Sequence, residues 1–144
     1  GGTGIISQVL RHELIHALNS NMTGGRALPP WLEEGLAQRI GEMPLGGAFP
    51  FPIKPAPFSP AADFGASYMT FGAAAAGSIY RQSLYLVMTL ENMESDALRR
   101  VISGLSPNLG ASGDAVLTPV GGNFARLHEV AAGWWKERHA LAAR

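Results

Sequence analysis

The chain has 144 residues, of which 47% are apolar and only 15% are charged, so it suits one domain with a hydrophobic core and is neither a disordered tail nor a solvated coiled coil. Its net charge is +0 and its lysines and arginines form no cluster, which argues against nucleic acid or an anionic membrane as a partner. Cysteine is absent, which excludes disulfides and cysteine-ligated metals, and no apolar run is long enough to span a membrane.

The hydrophobic pattern predicts helices and no strands, so the expected fold class is all-α. Helices are predicted over residues 5–19, 31–41, 73–91, 94–105 and 123–143, with a turn-rich loop over 106–122. We treat the chain as one domain with a helix pair at 1–41, a loop at 42–63 and C-terminal helices at 64–144. The segment 43–60 is rich in proline and glycine, but an ordered loop over a cleft is favoured over a linker by Phe49, Phe51, Ile53 and Phe58.

The first predicted helix has apolar residues around most of its circumference, which is typical of a buried helix. Within it, His12, Glu13 and His16 form the pattern His-Glu-x-x-His. Residues four apart are displaced by ~6 Å along the helix axis and ~40° around it, so both imidazoles lie on one face and can bind one ion. Glu13 lies beside this face, where its carboxylate can take a proton from a water that zinc acidifies. The alternative is an ordinary helix, but three ionisable groups in a buried helix are costly unless they bind something.

A zinc hydrolase needs a third protein ligand and one open coordination position. No histidine occurs in residues 17–28, so the metzincin pattern is absent. The next acidic residues are Glu33 and Glu34, at the start of the second predicted helix. Gln38 follows one turn after Glu34 and is predicted either to hydrogen-bond a ligand or to be exposed.

Together, His-Glu-Leu-Ile-His at 12–16 and Pro-Pro-Trp-Leu-Glu-Glu-Gly-Leu-Ala at 29–37 resemble the gluzincin superfamily of zinc metallopeptidases, in particular its aminopeptidase-N-like branch and small bacterial relatives. In that family the glutamate before glycine is the third ligand, so the resemblance implies one zinc ion per chain bound by His12, His16 and Glu34. Glu33 falls on the preceding, non-ligand position. The implied activity is hydrolysis of a peptide or protein substrate, with Glu13 as general base.

A tyrosine of the third predicted helix extends the expected site. Tyr80 resembles the family tyrosine that points into the site and stabilises the oxyanion, with core packing as the alternative. Tyr68 and Tyr85 are lesser candidates. The face of this helix that carries Tyr80 also carries small residues, which would allow a close approach to a neighbouring element, at Ala73, Ala76 and Gly77.

The resemblance covers the helical subdomain, roughly residues 4–105. Gluzincins carry a β-sheet upstream of the His-Glu-x-x-His helix, and its edge strand binds the extended substrate. This sheet is missing from the chain, so an upstream β-domain of the same protein is an expected partner. Other functions stay open. The chain could be a helical module that binds zinc without catalysis, or a fragment that is inactive without its sheet. It could also be a structural helical domain with no metal.

Overall fold

The computed structural model describes residues 2–25, 27–43, 56–109 and 112–142. Six α-helices lie within these ranges: α1 Gly2–Met22, α2 Pro30–Leu36, α3 Ala73–Met93, α4 Ala97–Gly104, α5 Gly113–Leu117 and α6 Phe124–Ala142. A π-helical segment, Ala37–Glu42, continues directly from α2, and 3-10 turns occur at Ala61–Gly65, Tyr68–Thr70 and Thr118–Val120. No strand occurs in the described ranges, which confirms the all-α prediction.

Two predicted elements differ from the structure. The second helix, predicted over 31–41, consists of seven α-helical residues followed by six π-helical ones, and the Met43 N–H donates to the Gln38 carbonyl at 3.0 Å. The loop predicted over 106–122 contains α5, whose start is capped where the Ala115 N–H donates to Ser112 Oγ at 3.1 Å. A helix of five residues is too short to produce a recognisable hydrophobic period. Phe49, Phe51 and Ile53 of the predicted ordered loop lie outside the described residues.

The core is built around α3, which is buried over most of the range from Ile79 to Leu90. α2 approaches it closely at Gly35, where a Cβ would lie 2.7 Å from the Ser83 carbonyl oxygen and would also collide with the Val87 side chain. Only glycine fits such a contact without displacing one of the two helices. This contact holds α2, which carries Glu33 in its first turn and Glu34 directly before Gly35, next to α3.

An aromatic cluster joins α3 to α6 and to the chain that precedes the first 3-10 turn. The Phe58 ring has neighbours at centroid distances between 5.3 and 6.4 Å, namely Phe64, Tyr85, His128 and Trp135. His128 Nε2 donates to the Ser59 carbonyl at 2.8 Å, and Trp135 Nε1 donates to the Ala56 carbonyl at 2.9 Å. The cluster assigns Tyr85, one of the lesser site candidates, to the core.

α1 packs mainly against the π segment, and its Ile15 and Met22 side chains lie against the edge of the core. A Cβ at Gly41 would lie 2.8 Å from both the Cα and the N of His12, so the two backbones touch at the residue that begins the His-Glu-x-x-His pattern. The Arg11 Nε–H donates to the Gly41 carbonyl at 3.0 Å and fixes the same contact. The position of His12 therefore depends on the π segment.

The prediction that α1 is buried all round is wrong. Four apolar side chains on it are 47% to 65% exposed, namely Val9, Leu10, Leu14 and Leu18, and no described residue covers them. A pattern of apolar residues indicates which side chains are stabilised by burial, but it does not identify the element that packs against them. His12, Glu13 and His16 are therefore less buried than the sequence indicated. The free-energy cost of burying three ionisable groups, which favoured a bound metal, is correspondingly smaller. Among the described residues, no helix has both the length and the apolar character to cross a membrane.

The predicted close approach through the small residues of α3 is also not observed. Ala73 and Gly77 are exposed, and a Cβ at Gly77 would meet no atom within 4 Å. The close approach to α3 comes from the facing helix instead, through Gly35.

Candidate metal centre

Three potential ligand atoms converge between α1 and α2. His12 Nε2 lies 2.9 Å from His16 Nε2, and Glu34 Oε2 lies 3.7 Å from the first and 3.6 Å from the second. Ligand atoms about 2.0–2.1 Å from a tetrahedral zinc ion are separated by about 3.3 Å. The observed separations bracket this value, so the three atoms can reach one ion with small side-chain adjustments.

Local structure explains this convergence. The two histidines are one helical turn apart on α1, which places their rings at a centroid distance of 4.7 Å. Pro30 occupies the first position of α2, where a proline costs no hydrogen bond, and the buried side chains of Trp31, Leu32 and Leu36 anchor the helix in the core. The side of α2 opposite to these anchors presents the carboxylates of Glu33 and Glu34 to the histidines of α1.

The Glu33 carboxylate contacts the far side of the His16 ring. His16 Nδ1 lies 2.6 Å from Glu33 Oε1, and Asn19 Nδ2 donates to the same oxygen at 3.4 Å. An ionised carboxylate can only accept, so the proton of a neutral His16 is on Nδ1 and its Nε2 presents a lone pair to His12 and Glu34. This is the arrangement in which a carboxylate fixes the tautomer of a metal-binding histidine.

Tyr80 reaches His12 from α3. Its hydroxyl oxygen lies 3.1 Å from His12 Nδ1 and 3.5 Å from Glu42 Oε2, and the Tyr80 and His12 rings are stacked at a centroid distance of 6.0 Å. Glu42 Oε2 itself lies 3.6 Å from His12 Nδ1. If His12 Nε2 binds a metal, Nδ1–H donates to the Tyr80 oxygen, and the Tyr80 hydroxyl donates in turn to Glu42 Oε2.

Burial and charge disfavour ionisation at two of these groups. Desolvation raises the pKa of the Glu34 carboxyl, while the neighbouring His16 and His12 oppose this rise. Desolvation also raises the pKa of the Tyr80 hydroxyl, and the carboxylates of Glu42 and Glu34 raise it further. Tyr80 is therefore a neutral hydrogen-bond donor near pH 7.

The donor set suits zinc. Two imidazole nitrogens and one carboxylate oxygen are the ligands found in catalytic zinc sites with an open fourth position. Glu13 is exposed on α1 and forms no hydrogen bond or ion pair with a described residue, although its charge contributes to raising the pKa of Glu34. The structure thus brings together His12, His16, Glu34 and Tyr80, and places Glu13 close to them.

Gln38 takes neither of its predicted positions. It is buried, with 1% of its surface exposed, and its Nε2 donates to the backbone carbonyls of Glu34 at 3.2 Å and Tyr80 at 2.6 Å. It therefore links α2 to α3 behind the site and contacts the main chain of a ligand residue, not its carboxylate.

The contacts of Glu33 and Glu42 were missed from the sequence. Helical wheel geometry places Glu33 about 100° from Glu34, which suggests that it faces elsewhere. A side chain of this length at the first turn of α2 still reaches the adjacent helix. Tyr68, the other lesser candidate, lies with its hydroxyl 2.5 Å from Ser83 Oγ, outside the group of ligand atoms.

The chain matches no protein-family model, and comparison with curated proteins and with solved structures yields no match either.

Proposed function

We propose that this chain binds one zinc ion through His12, His16 and Glu34 and hydrolyses peptide bonds, as its resemblance to the gluzincins implies. The single observation that supports the proposal best is the triangle of His12 Nε2, His16 Nε2 and Glu34 Oε2, with sides of 2.9 to 3.7 Å. A cation bound between the two facing Nε2 atoms and the Glu34 carboxylate would stabilise this arrangement.

The other residues of the site have roles that follow from their surroundings. Zinc in such a site acidifies a water molecule and polarises a substrate carbonyl. Glu13 is exposed and unpaired among the described residues, so its carboxylate is free to take a proton from the water and deliver it to the leaving amine. Tyr80, neutral and held against His12, would turn its hydroxyl from Glu42 to donate a hydrogen bond to the developing oxyanion.

Metal binding is tested first. Purified protein exposed to zinc and then dialysed is expected to contain one zinc ion per chain and to melt at a higher temperature than chelator-treated protein. His16→Ala is expected to lose both effects. The matched control is His128→Ala, which removes a histidine outside the site and is expected to retain the metal. Protein without stoichiometric zinc would contradict the proposal.

Catalysis is tested separately with a peptide library. Zinc-loaded wild type is expected to cleave peptides, and Glu13→Gln is expected to retain zinc and lose turnover, because an amide cannot take up the proton. Glu129→Gln changes an exposed glutamate of α6 in the same way and controls for the loss of charge. Zinc binding without a difference between Glu13→Gln and wild type would favour a non-catalytic zinc module.

The upstream β-domain stays part of the proposal. Leu10, Leu14 and Leu18 lie within ~80° of one another on α1 and form an exposed apolar surface, whereas Val9, also exposed, lies on the side that carries the two histidines. A sheet packed on the three leucines would bury this surface, and a strand edge beside Val9 would extend the site for the substrate. Adding such a domain is expected to protect these side chains from solvent and to raise turnover; unchanged turnover would oppose the idea.

A further inference from the structure

A cleft of about 700 Å³ lies directly beside the candidate metal centre. It is enclosed by the start of α2, by the two 3-10 turns before α3, and by the residues that begin α5 and α6. Its volume is in the range of cavities that enclose a small ligand or a large side chain. Binding of a metal by His12, His16 and Glu34 does not require this cleft.

The cleft shares residues with the metal centre. Glu34, whose Oε2 lies 3.6 Å from His16 Nε2, forms part of the cleft wall, and so does Glu33. Tyr68, across the cleft, is close enough for the Glu34 charge to contribute to the raised pKa of its hydroxyl, after burial as the main cause. Of the three proposed ligands only Glu34 lines the cleft, so the cleft adjoins the metal centre on this side and can accept a neighbouring side chain of a bound substrate.

The wall is mainly apolar. Aromatic and aliphatic side chains make up much of it, and the first 3-10 turn contributes two small residues that leave room: Leu28, Trp31, Tyr68, Phe124, Ala61 and Ala62. The Trp31 and Phe124 rings pack at a centroid distance of 5.3 Å, which makes this side rigid. Such a surface favours a bulky apolar group over a hydrated one.

The two carboxylates at the edge do not make the cleft a cation site. Glu33 Oε1 already accepts from His16 Nδ1 and Asn19 Nδ2, and Glu34 Oε2 faces both histidines. A cationic side chain would compete with the metal for Glu34 and would leave most of the apolar wall unused. We propose that the cleft binds an aromatic or large aliphatic side chain of the substrate next to the bond that is cleaved. This inference depends on the proposed zinc site.

Binding of three hydroxamates to the zinc-loaded chain tests the inference without turnover. Acetohydroxamate chelates the metal and has no arm, 3-phenylpropionohydroxamate adds an aromatic arm, and 3-aminopropionohydroxamate adds a cationic one. Calorimetric titration is expected to show the phenyl compound binding about 10- to 100-fold more tightly than acetohydroxamate, because it buries an aromatic ring. The cationic compound is expected to bind no more tightly than acetohydroxamate.

Ala62→Trp fills the cleft from an exposed position of the 3-10 turn and leaves the core intact. It is expected to abolish the advantage of the phenyl compound and to leave the affinity for acetohydroxamate unchanged. Ala75→Trp, an equivalent change at an exposed position of α3 away from the cleft, is the matched control and is expected to retain the advantage.

The outcomes separate the inference from the proposed function. If acetohydroxamate does not bind in the presence of zinc, the proposed metal centre is wrong, and the cleft proposal fails with it. Acetohydroxamate that binds as tightly as the phenyl compound, a preference for the cationic arm, or a phenyl advantage that survives Ala62→Trp overturns the cleft proposal alone.

Discussion

Replacing Gly35 with alanine tests whether the contact between α2 and α3 positions the metal centre. The new Cβ would lie 2.7 Å from the Ser83 carbonyl oxygen, about 0.7 Å short of ordinary contact, and Ser83 is fully buried. Backbone cannot yield as a flexible side chain can, so the overpacking costs about 1–3 kcal/mol. Alanine recovers up to about 1 kcal/mol through its higher helix propensity. The net loss is therefore about 0–3 kcal/mol, with a central value of about 1–2 kcal/mol.

Calorimetry on metal-free protein measures this loss. A chain of this size shifts its melting temperature by about 2–4 °C per kcal/mol, so a decrease of about 2–8 °C is expected. Zinc affinity is expected to fall as well, because Glu34 is the adjacent residue. Gly77→Ala is the matched control: it lies in α3 with no atom within 4 Å of the added Cβ, and it is expected to raise the melting temperature. If Gly35→Ala also melts at or above the wild-type temperature, the close contact does not exist.

Other changes test individual contacts of the site. Tyr80→Phe is expected to keep zinc affinity within a few-fold and to lower kcat by about 10²–10³, because it removes the oxyanion donor; equal kcat in a peptide assay would exclude this role. Glu33→Ala is expected to weaken zinc binding about 10- to 100-fold in a competition titration, with Glu33→Gln intermediate because its amide oxygen still accepts from His16. Gln38→Met is expected to lower stability by about 0.5–1.5 kcal/mol in denaturant unfolding, because the hydrogen bonds that join α2 to α3 are lost while the unpaired Gln38 Oε1 is also removed.

The controls for these changes come from the same chain. Tyr85→Phe alters a tyrosine of the aromatic cluster and is expected to leave kcat unchanged. Glu129→Ala removes an exposed glutamate of α6 and is expected to leave zinc affinity unchanged. An equal decrease in a site variant and its control would mean that the protein as a whole had been perturbed and not the contact in question.

The sequence predicted the helical elements well because their hydrophobic periods are long. α3 and α6 begin and end within two residues of their predicted bounds. The shared face of His12 and His16 also followed from their spacing, whereas Glu34 as the third ligand was implied by the resemblance to the gluzincins. The helix bounds and the shared face are local relations, which helix geometry determines without knowledge of tertiary packing.

Contacts between helices were predicted poorly because they depend on side-chain length and on backbone approach. A helical wheel gives the direction of the Glu33 Cβ but not the reach of its carboxylate, which finds His16 on another helix. Gly35 and Gly41 each lie against a neighbouring helix where a side chain would not fit, whereas Gly77 has no such neighbour. The sequence alone does not distinguish these glycines. The burial of α1 was misjudged for a related reason, since apolar composition does not identify a covering partner.

The number of residues in the π-helical segment determines which residue lies against His12. An α-helix would close the turn ending at Met43 with one residue fewer, and the residues beyond it would rotate by about 100°. Gly41 would then leave the backbone of His12, and a residue with a side chain would replace it. Point substitutions on the exposed side of this segment are consequently tolerable. Deletion of one residue would instead break the contact between Gly41 and His12, which positions His12 in the candidate metal centre. Insertions and deletions, more than substitutions, should therefore be avoided here when this chain is engineered.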